Sequence, residues 1–258
     1  MHQTISAALT TLLVLALSSG IAAGLNDTGI TGCANDTAVV TTAVAADGGT
    51  HPRQDCRYGR DAAATVGMPK DGGGGKGFDF TKIANNGTPL PANAVLGSAA
   101  AQWACTKDNV TGLVWEVKTT SGLRSQSHTY TWYTSNPATH GGVTGTPSGG
   151  ACATAGHCDT EKFAADVNTG DGLCGAKDWR MPTKKELLSL VDYGRASPTS
   201  PAIDPTYFPN TPAANYWTSL AHANGLTNAW YVGFGNGNAD YTYVKSNPFP
   251  VRLVRTVP

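Results

Sequence analysis

Polar and apolar positions alternate with a helical period after Thr183: Leu187, Leu190 and Val191 recur at i, i+3 and i+4, while Lys184, Lys185 and Ser189 fall on the other side. Pro182 biases Met181 toward extended backbone. Thr183 can then cap the helix, with Glu186 three residues on to complete a capping box. The C-terminal stretches Tyr216–Thr218, Ala229–Phe234 and Val251–Arg255 are aromatic or β-branched and read as strands against which this helix packs. An earlier strand follows the turn Asp108–Gly112. In it Leu113, Trp115 and Val117 form one expected buried face and alternate with Val114, Glu116 and Lys118. A second helix begins near Thr160, turns Phe163, Ala164 and Val167 inward, and ends between Asn168 and Gly172. Residues 119–156 are rich in Ser, Thr and Gly and predict a long loop with short ordered pieces, one of them the aromatic patch Tyr130–Tyr133.

The chain of 258 residues has 18 Lys plus Arg against 18 Asp plus Glu. It is long enough for one large or two small domains, and without a net field it has no general attraction for nucleic acid or an anionic membrane. Residues 1–24 are uncharged, contain the apolar run Thr11–Leu17, and end in small residues. They read as a secretory signal peptide cleaved between Ala22 and Leu25, too short in the apolar part to span a bilayer. Secretion or display at the cell surface or in the periplasm follows, with no membrane span after cleavage. Residues 25–105 form an N-terminal extension of short strands and loops, β-leaning and irregular, with little sustained periodicity. Its glycine run Gly72–Gly77 is a flexible loop: no Ser or Thr follows Lys76, as a phosphate loop requires.

An exported chain oxidises its thiols, and Cys33, Cys56, Cys105, Cys152, Cys158 and Cys174 fit three disulfides. Sequence does not choose among the 15 connectivities that six cysteines allow; the working expectation is Cys33 with Cys56, Cys105 with Cys174, and Cys152 with Cys158. The separation of Cys152 from Cys158 is too wide for a zinc pair. His157 beside Cys158 lies in a Gly- and Ala-rich loop and reads as a loop residue rather than a base. Asp166–Gly172 fails as a calcium loop, because Gly170 and Lys177 occupy positions that need oxygen ligands. Calcium elsewhere in the chain is left open, and no other cofactor is expected.

Taken in order, Asp108–Trp115, Asp178–Thr183 with Glu186 and Leu187, Tyr216–Ser219, Ala229–Phe234 and Val251–Arg255 resemble the bacterial family named for the C-terminal domain of the Legionella collagen-like adhesin, Lcl. The resemblance covers residues 106–258 and implies an α+β, C-type-lectin-like domain. Such a domain has a twisted antiparallel sheet, two flanking helices and long loops, and is distantly similar to the formylglycine-generating enzyme fold. It also implies adhesion to sulfated glycans, as in the namesake. The chain departs from the namesake in having no Gly-X-Y collagen stretch.

Fold alone does not decide function. The formylglycine-generating relatives oxidise with cysteines late in the domain, and no cysteine follows Cys174. Paired carboxylates, a nucleophile elbow and a zinc-protease helix are missing from the sequence, so no enzyme is expected and a hydrolytic activity ranks last. The positive feature is the C-terminal mixture of His222, Asn224, Asn228, Tyr231, Asn236, Asn238, Tyr241, Tyr243, Lys245 and Asn247, interleaved with the expected core residues Trp230, Val232 and Phe234. Tyr gives rigid amphipathic contact area and Asn gives adaptable hydrogen bonding, and aromatic faces suit sugar rings. In a strand, Tyr241, Tyr243 and Lys245 would form one contact row. These residues are the expected ligand-binding set, for a glycan or a cell-surface protein. The alternative is a structural surface or matrix component that self-associates through the same face. The resemblance also implies a third idea, that the chain is a target of a diversity-generating retroelement, whose variation would leave an Asn- and Tyr-rich tail of this kind.

Overall fold

The computed structural model describes residues 26–34, 39–40, 54–197 and 200–257. The expected signal peptide lies outside the described residues. In chain order the elements are β1 (Cys33–Ala34), β2 (Val39–Val40), α1 (Asp55–Tyr58), α2 (Arg60–Thr65), β3 (Phe80–Ala84), β4 (Pro89–Leu90), β5 (Trp103–Asp108), β6 (Leu113–Glu116), α3 (Thr160–Val167), α4 (Lys184–Leu188), β7 (Asn215–Ala221), β8 (Ala229–Gly233), β9 (Ala239–Asp240) and β10 (Val254–Thr256). The strands form a five-stranded sheet, β10-β6-β5-β3-β4, a three-stranded sheet, β7-β8-β9, and the pair β1-β2. All pairings are antiparallel, so the architecture is α+β with antiparallel sheets.

Both expected helices form where their caps place them. Thr183 Oγ1 accepts from the Glu186 amide at 3.3 Å, and the Glu186 carboxylate accepts from the Thr183 amide at 2.7 Å. The regular part of α4 stops at Leu188, sooner than the apolar pattern suggested. The Ser189 hydroxyl donates back to the Glu186 carbonyl, and the chain tightens into three-residue turns at Leu190 and Val191, a common way to finish a helix. Leu187, Leu190 and Val191 are nonetheless all buried. Asp159 caps α3 by accepting from the Lys162 amide, and Phe163 and Val167 face the core.

The expected boundary at residue 106 cuts through a strand. β3, β4 and β5 belong to the same sheet as β6 and β10, and Phe78 and Phe80 pack in one apolar cluster with Leu113, Trp115, Leu187 and Phe208. Residues 78–108 therefore complete the core of the C-terminal domain. They read as irregular because β3 and β5 are joined by a turn-rich segment that hides their period.

The strand at 113–118 also differs from expectation. Both of its faces are covered: Trp115 lies in one cluster, and Val114 lies in the other with Tyr130, Phe163, Trp217 and Leu253. Glu116 and Lys118, expected in water, are 0% and 2% exposed and form an ion pair at 2.8 Å. The Glu116 Oε2 accepts from the Leu253 amide at 3.0 Å, and Arg252 donates to the Glu116 carbonyl and to Thr211 Oγ1, each at 2.6 Å. Burial pushes the Lys118 ammonium down to about 8, against the attraction of Glu116.

The disulfides are Cys33–Cys56, Cys105–Cys174 and Cys152–Cys158, the expected pairing. The second ties β5 to the loop that delivers Trp179. Among the described residues, no helix is long and apolar enough to cross a membrane.

Removing one partner of a buried ion pair strands the other charge in a medium that solvates it poorly. Lys118→Met is expected to lower unfolding free energy by about 3–5 kcal/mol, read by urea denaturation of the oxidised protein. A loss below about 1 kcal/mol would mean the pair contributes no more than a surface contact.

Candidate functional site

The C-terminal face is built on β7 and β8, which cross the domain between the two apolar clusters. On β8, Ala229 and Tyr231 point into one cluster, and Val232 belongs to the other. Trp230 shares the side of Val232 and Phe234 but is only half-buried at the edge, correcting its expected place in the core. Its ring is covered by the Lys184 ammonium, 3.5 Å from the centroid, a cation–π contact that supports a partly wet indole.

Two rings meet beside Trp230. His222 stacks on Tyr241 with centroids 3.9 Å apart and planes 4° from parallel, and Trp230 meets Tyr241 edge-on at 4.9 Å. Tyr241 and Tyr243 are 41% and 42% exposed. Tyr243 leans on Tyr231 and Phe249, with centroids at 5.3 and 5.1 Å. The rings are thus held from behind and offered to solvent in front.

The expected row of Tyr241, Tyr243 and Lys245 does not form. β9 ends at Asp240, and the chain then leaves the sheet to pair with the 130–132 segment, where the Phe249 and Lys245 carbonyls accept from the Tyr130 and Trp132 amides. This turns Lys245 inward. It is 2% exposed, and its ammonium donates to the carbonyls of His140, Val143 and Leu226 at 2.7, 2.6 and 2.8 Å, 4.5 Å above the Trp132 ring. Burial lowers its pKa, with no carboxylate to oppose the shift. Lys245 is a clamp between loops. Tyr231 is likewise buried, its hydroxyl bonded to Thr242 Oγ1 at 2.9 Å.

The asparagines divide in the same way. The Asn228 amide donates to the Tyr241 carbonyl at 2.9 Å, which fixes the turn that carries His222 against the loop that carries Tyr241. The Asn247 carbonyl accepts from the Trp217 indole, and the Asn236 side chain accepts from the Asn238 amide within a turn. Asn224, Asn236 and Asn238 stand exposed.

Sequence reading missed a cleft of about 600 Å³ next to this cluster. Trp132, Trp179, Met181 and Ala221 line it, Glu161 and Arg180 stand among its walls, and His222 belongs to both features. Arg180 is paired with Glu186 through two contacts at 2.9 and 2.7 Å, which raise its pKa. The Glu161 carboxylate accepts from the amide and hydroxyl of Ser135. The cleft is therefore mainly apolar, with charges already engaged. The aromatic patch Tyr130–Tyr133, read as a piece of loop, supplies part of it: Tyr130 and Trp132 are buried, and the Trp132 indole donates to the Thr218 carbonyl.

The half-exposed aromatic platform and the apolar cleft thus lie side by side on the C-terminal face. The family model of the Lcl C-terminal domain matches residues 104–255, and the chain belongs to that family. Neither the curated proteins nor the solved structures returned a match.

Truncating the clamp would leave the carbonyls of His140, Val143 and Leu226 without the donor they share. Lys245→Met is expected to cost about 1–3 kcal/mol and to raise amide exchange at 140–146 and 224–228 while β5 and β6 keep their protection. Uniform loss of protection would show that Lys245 supports the whole fold rather than the loops.

Proposed function

We propose that this chain is an exported binding protein that recognises a glycan through the platform of His222, Tyr241 and Tyr243, in an adhesive role. The observation that carries this reading is the stack of His222 on Tyr241, exposed in front and braced by Trp230 behind. Flat rings pack against the apolar face of a pyranose, and neighbouring amides serve its hydroxyls. Asn224 and Asn238 are exposed within the same C-terminal segments to do so. Membership in the Lcl C-terminal domain family is compatible with adhesion. Three disulfides among the described residues fit an oxidising compartment, which supports export. The reading is of binding without catalysis, since the charged groups around the cleft are engaged in pairs and caps.

Single substitutions Tyr241→Ala and His222→Ala are each expected to weaken glycan binding by roughly 3- to 10-fold, the loss of one stacking contact, with melting temperature nearly unchanged. Tyr231→Ala is expected to unfold the face instead, because that ring is buried. Binding would be read on a broad glycan array and by titration of the best hit. An array silent for the unaltered protein would move the reading to a protein ligand or a second copy of this chain.

A further inference from the structure

Away from the aromatic platform, the N-terminal segment crosses the short helices α1 and α2 and brings three aspartates together. Asp27, Asp55 and Asp61 each offer one carboxylate oxygen, and the three oxygens lie within 4.8 Å of one another. Oxygens bound to a single calcium ion at about 2.3–2.6 Å stand at most about 5 Å apart, so the spread fits one coordination shell.

Their other oxygens are already used. The Gly77 amide donates to Asp61 Oδ1 at 2.8 Å, and the Thr28 amide donates to Asp27 Oδ1 at 2.8 Å. The Thr28 hydroxyl donates to Asp55 Oδ2. What remains is unusual: Oδ2 of Asp27 and Oδ2 of Asp61 are both buried and accept no hydrogen bond. Asp61 is 0% exposed and Asp27 is 7% exposed. A buried carboxylate oxygen without a partner is costly, and here there are two in one cluster.

Gly77 closes the buried side of the cluster, whereas Asp55 is only half-buried. Gly77 presses against the cluster so closely that a Cβ there would stand 1.8 Å from Asp27 Oδ2. Two nearby cations are directed elsewhere: the Arg60 guanidinium donates to the Gly77 carbonyl at 2.9 Å, and the Lys76 ammonium is bonded to Asp192 Oδ1 at 2.9 Å and to the Gly29 carbonyl.

We propose that Asp27, Asp55 and Asp61 form a binding site for a hard divalent cation, calcium, which joins the N-terminal segment to α1 and α2. Calcium takes six to eight oxygens in flexible geometry, which suits three carboxylates with water completing the shell. Magnesium demands a tighter octahedron and keeps its own water. The segment it would hold is already docked on the domain, since Asn26 donates to Asp108 Oδ2 at 2.7 Å and to the Ser189 carbonyl at 2.9 Å. The Cys33–Cys56 disulfide fixes α1 to the same segment. The ion would lock this docking when the protein reaches a calcium-containing medium, independently of the ligand face.

The test uses the full oxidised chain, stripped with chelator and titrated with CaCl2 by calorimetry, and in parallel with MgCl2. About one calcium per chain is expected, with a dissociation constant of about 10⁻⁴–10⁻³ M, the range of extracellular calcium modules. Melting temperature should rise with calcium, and protease cleavage in the N-terminal segment should slow. Asp61→Asn should weaken calcium binding at least tenfold and abolish both effects. If that variant does not fold, Asp55→Asn, at a less buried position, should show the same loss. No calcium heat at about 10 mM, or equal binding by the folded variants, would overturn the proposal. So would an Asp61→Asn protein that is more stable than the parent while the parent ignores calcium, because the two orphan oxygens would then be sharing a proton.

Discussion

Glu116 and Lys118 pair at 2.8 Å in the middle of the molecule, where water does not reach either one. Two charges withdrawn from water need further polar partners to offset the hydration they lose. That requirement reaches outward from β6. It takes the Leu253 amide for the Glu116 carboxylate, the Arg252 guanidinium for its carbonyl, Thr211 for the far side of Arg252, and the Asn210 amide for the Lys118 carbonyl. A one-residue slip of β6 against β10 would misplace each of these at once. The same strand divides the two apolar clusters, so its register also decides which aromatic residues enter which side.

From that centre the C-terminal face is set by indole donors. Trp217 donates to the Tyr130 carbonyl and Trp132 to the Thr218 carbonyl, a reciprocal pair that joins β7 to the segment beside it. The three-stranded sheet, the 130–132 segment and the returning chain at 245–249 therefore behave as one layer. His222, Tyr241 and Tyr243 are carried at its edge, where turns and irregular chain can present rings that regular strands would bury.

The sequence was legible where a local rule had no competitor. Thr183 and Glu186 make a capping box whatever the rest of the chain does, and Phe163 and Val167 define a helix face without outside help. The α+β class with antiparallel sheets and the family followed from ordered motifs in the second half of the chain. Misreadings arose where two distant surfaces cover one strand. Alternation at 113–118 marks one face apolar and the other charged, and only the opposite layer reveals that the charged face is buried as well. Lys245 fails for a related reason: a lone lysine among Tyr and Asn looks like a contact residue, and its three acceptors come from positions 140, 143 and 226. The cleft draws on four separated segments, and the three aspartates stand at 27, 55 and 61, so no short window contains either.

The clamp at Lys245 has an evolutionary consequence. Its ammonium holds His140, Val143 and Leu226 solely through their backbone carbonyls, which every amino acid possesses. The clamp places no demand on the side chains those positions carry. Substitution there can drift or be selected without releasing the loops, so the architecture of the rim is separated from its chemistry. A scaffold with that separation can acquire new specificities one surface residue at a time.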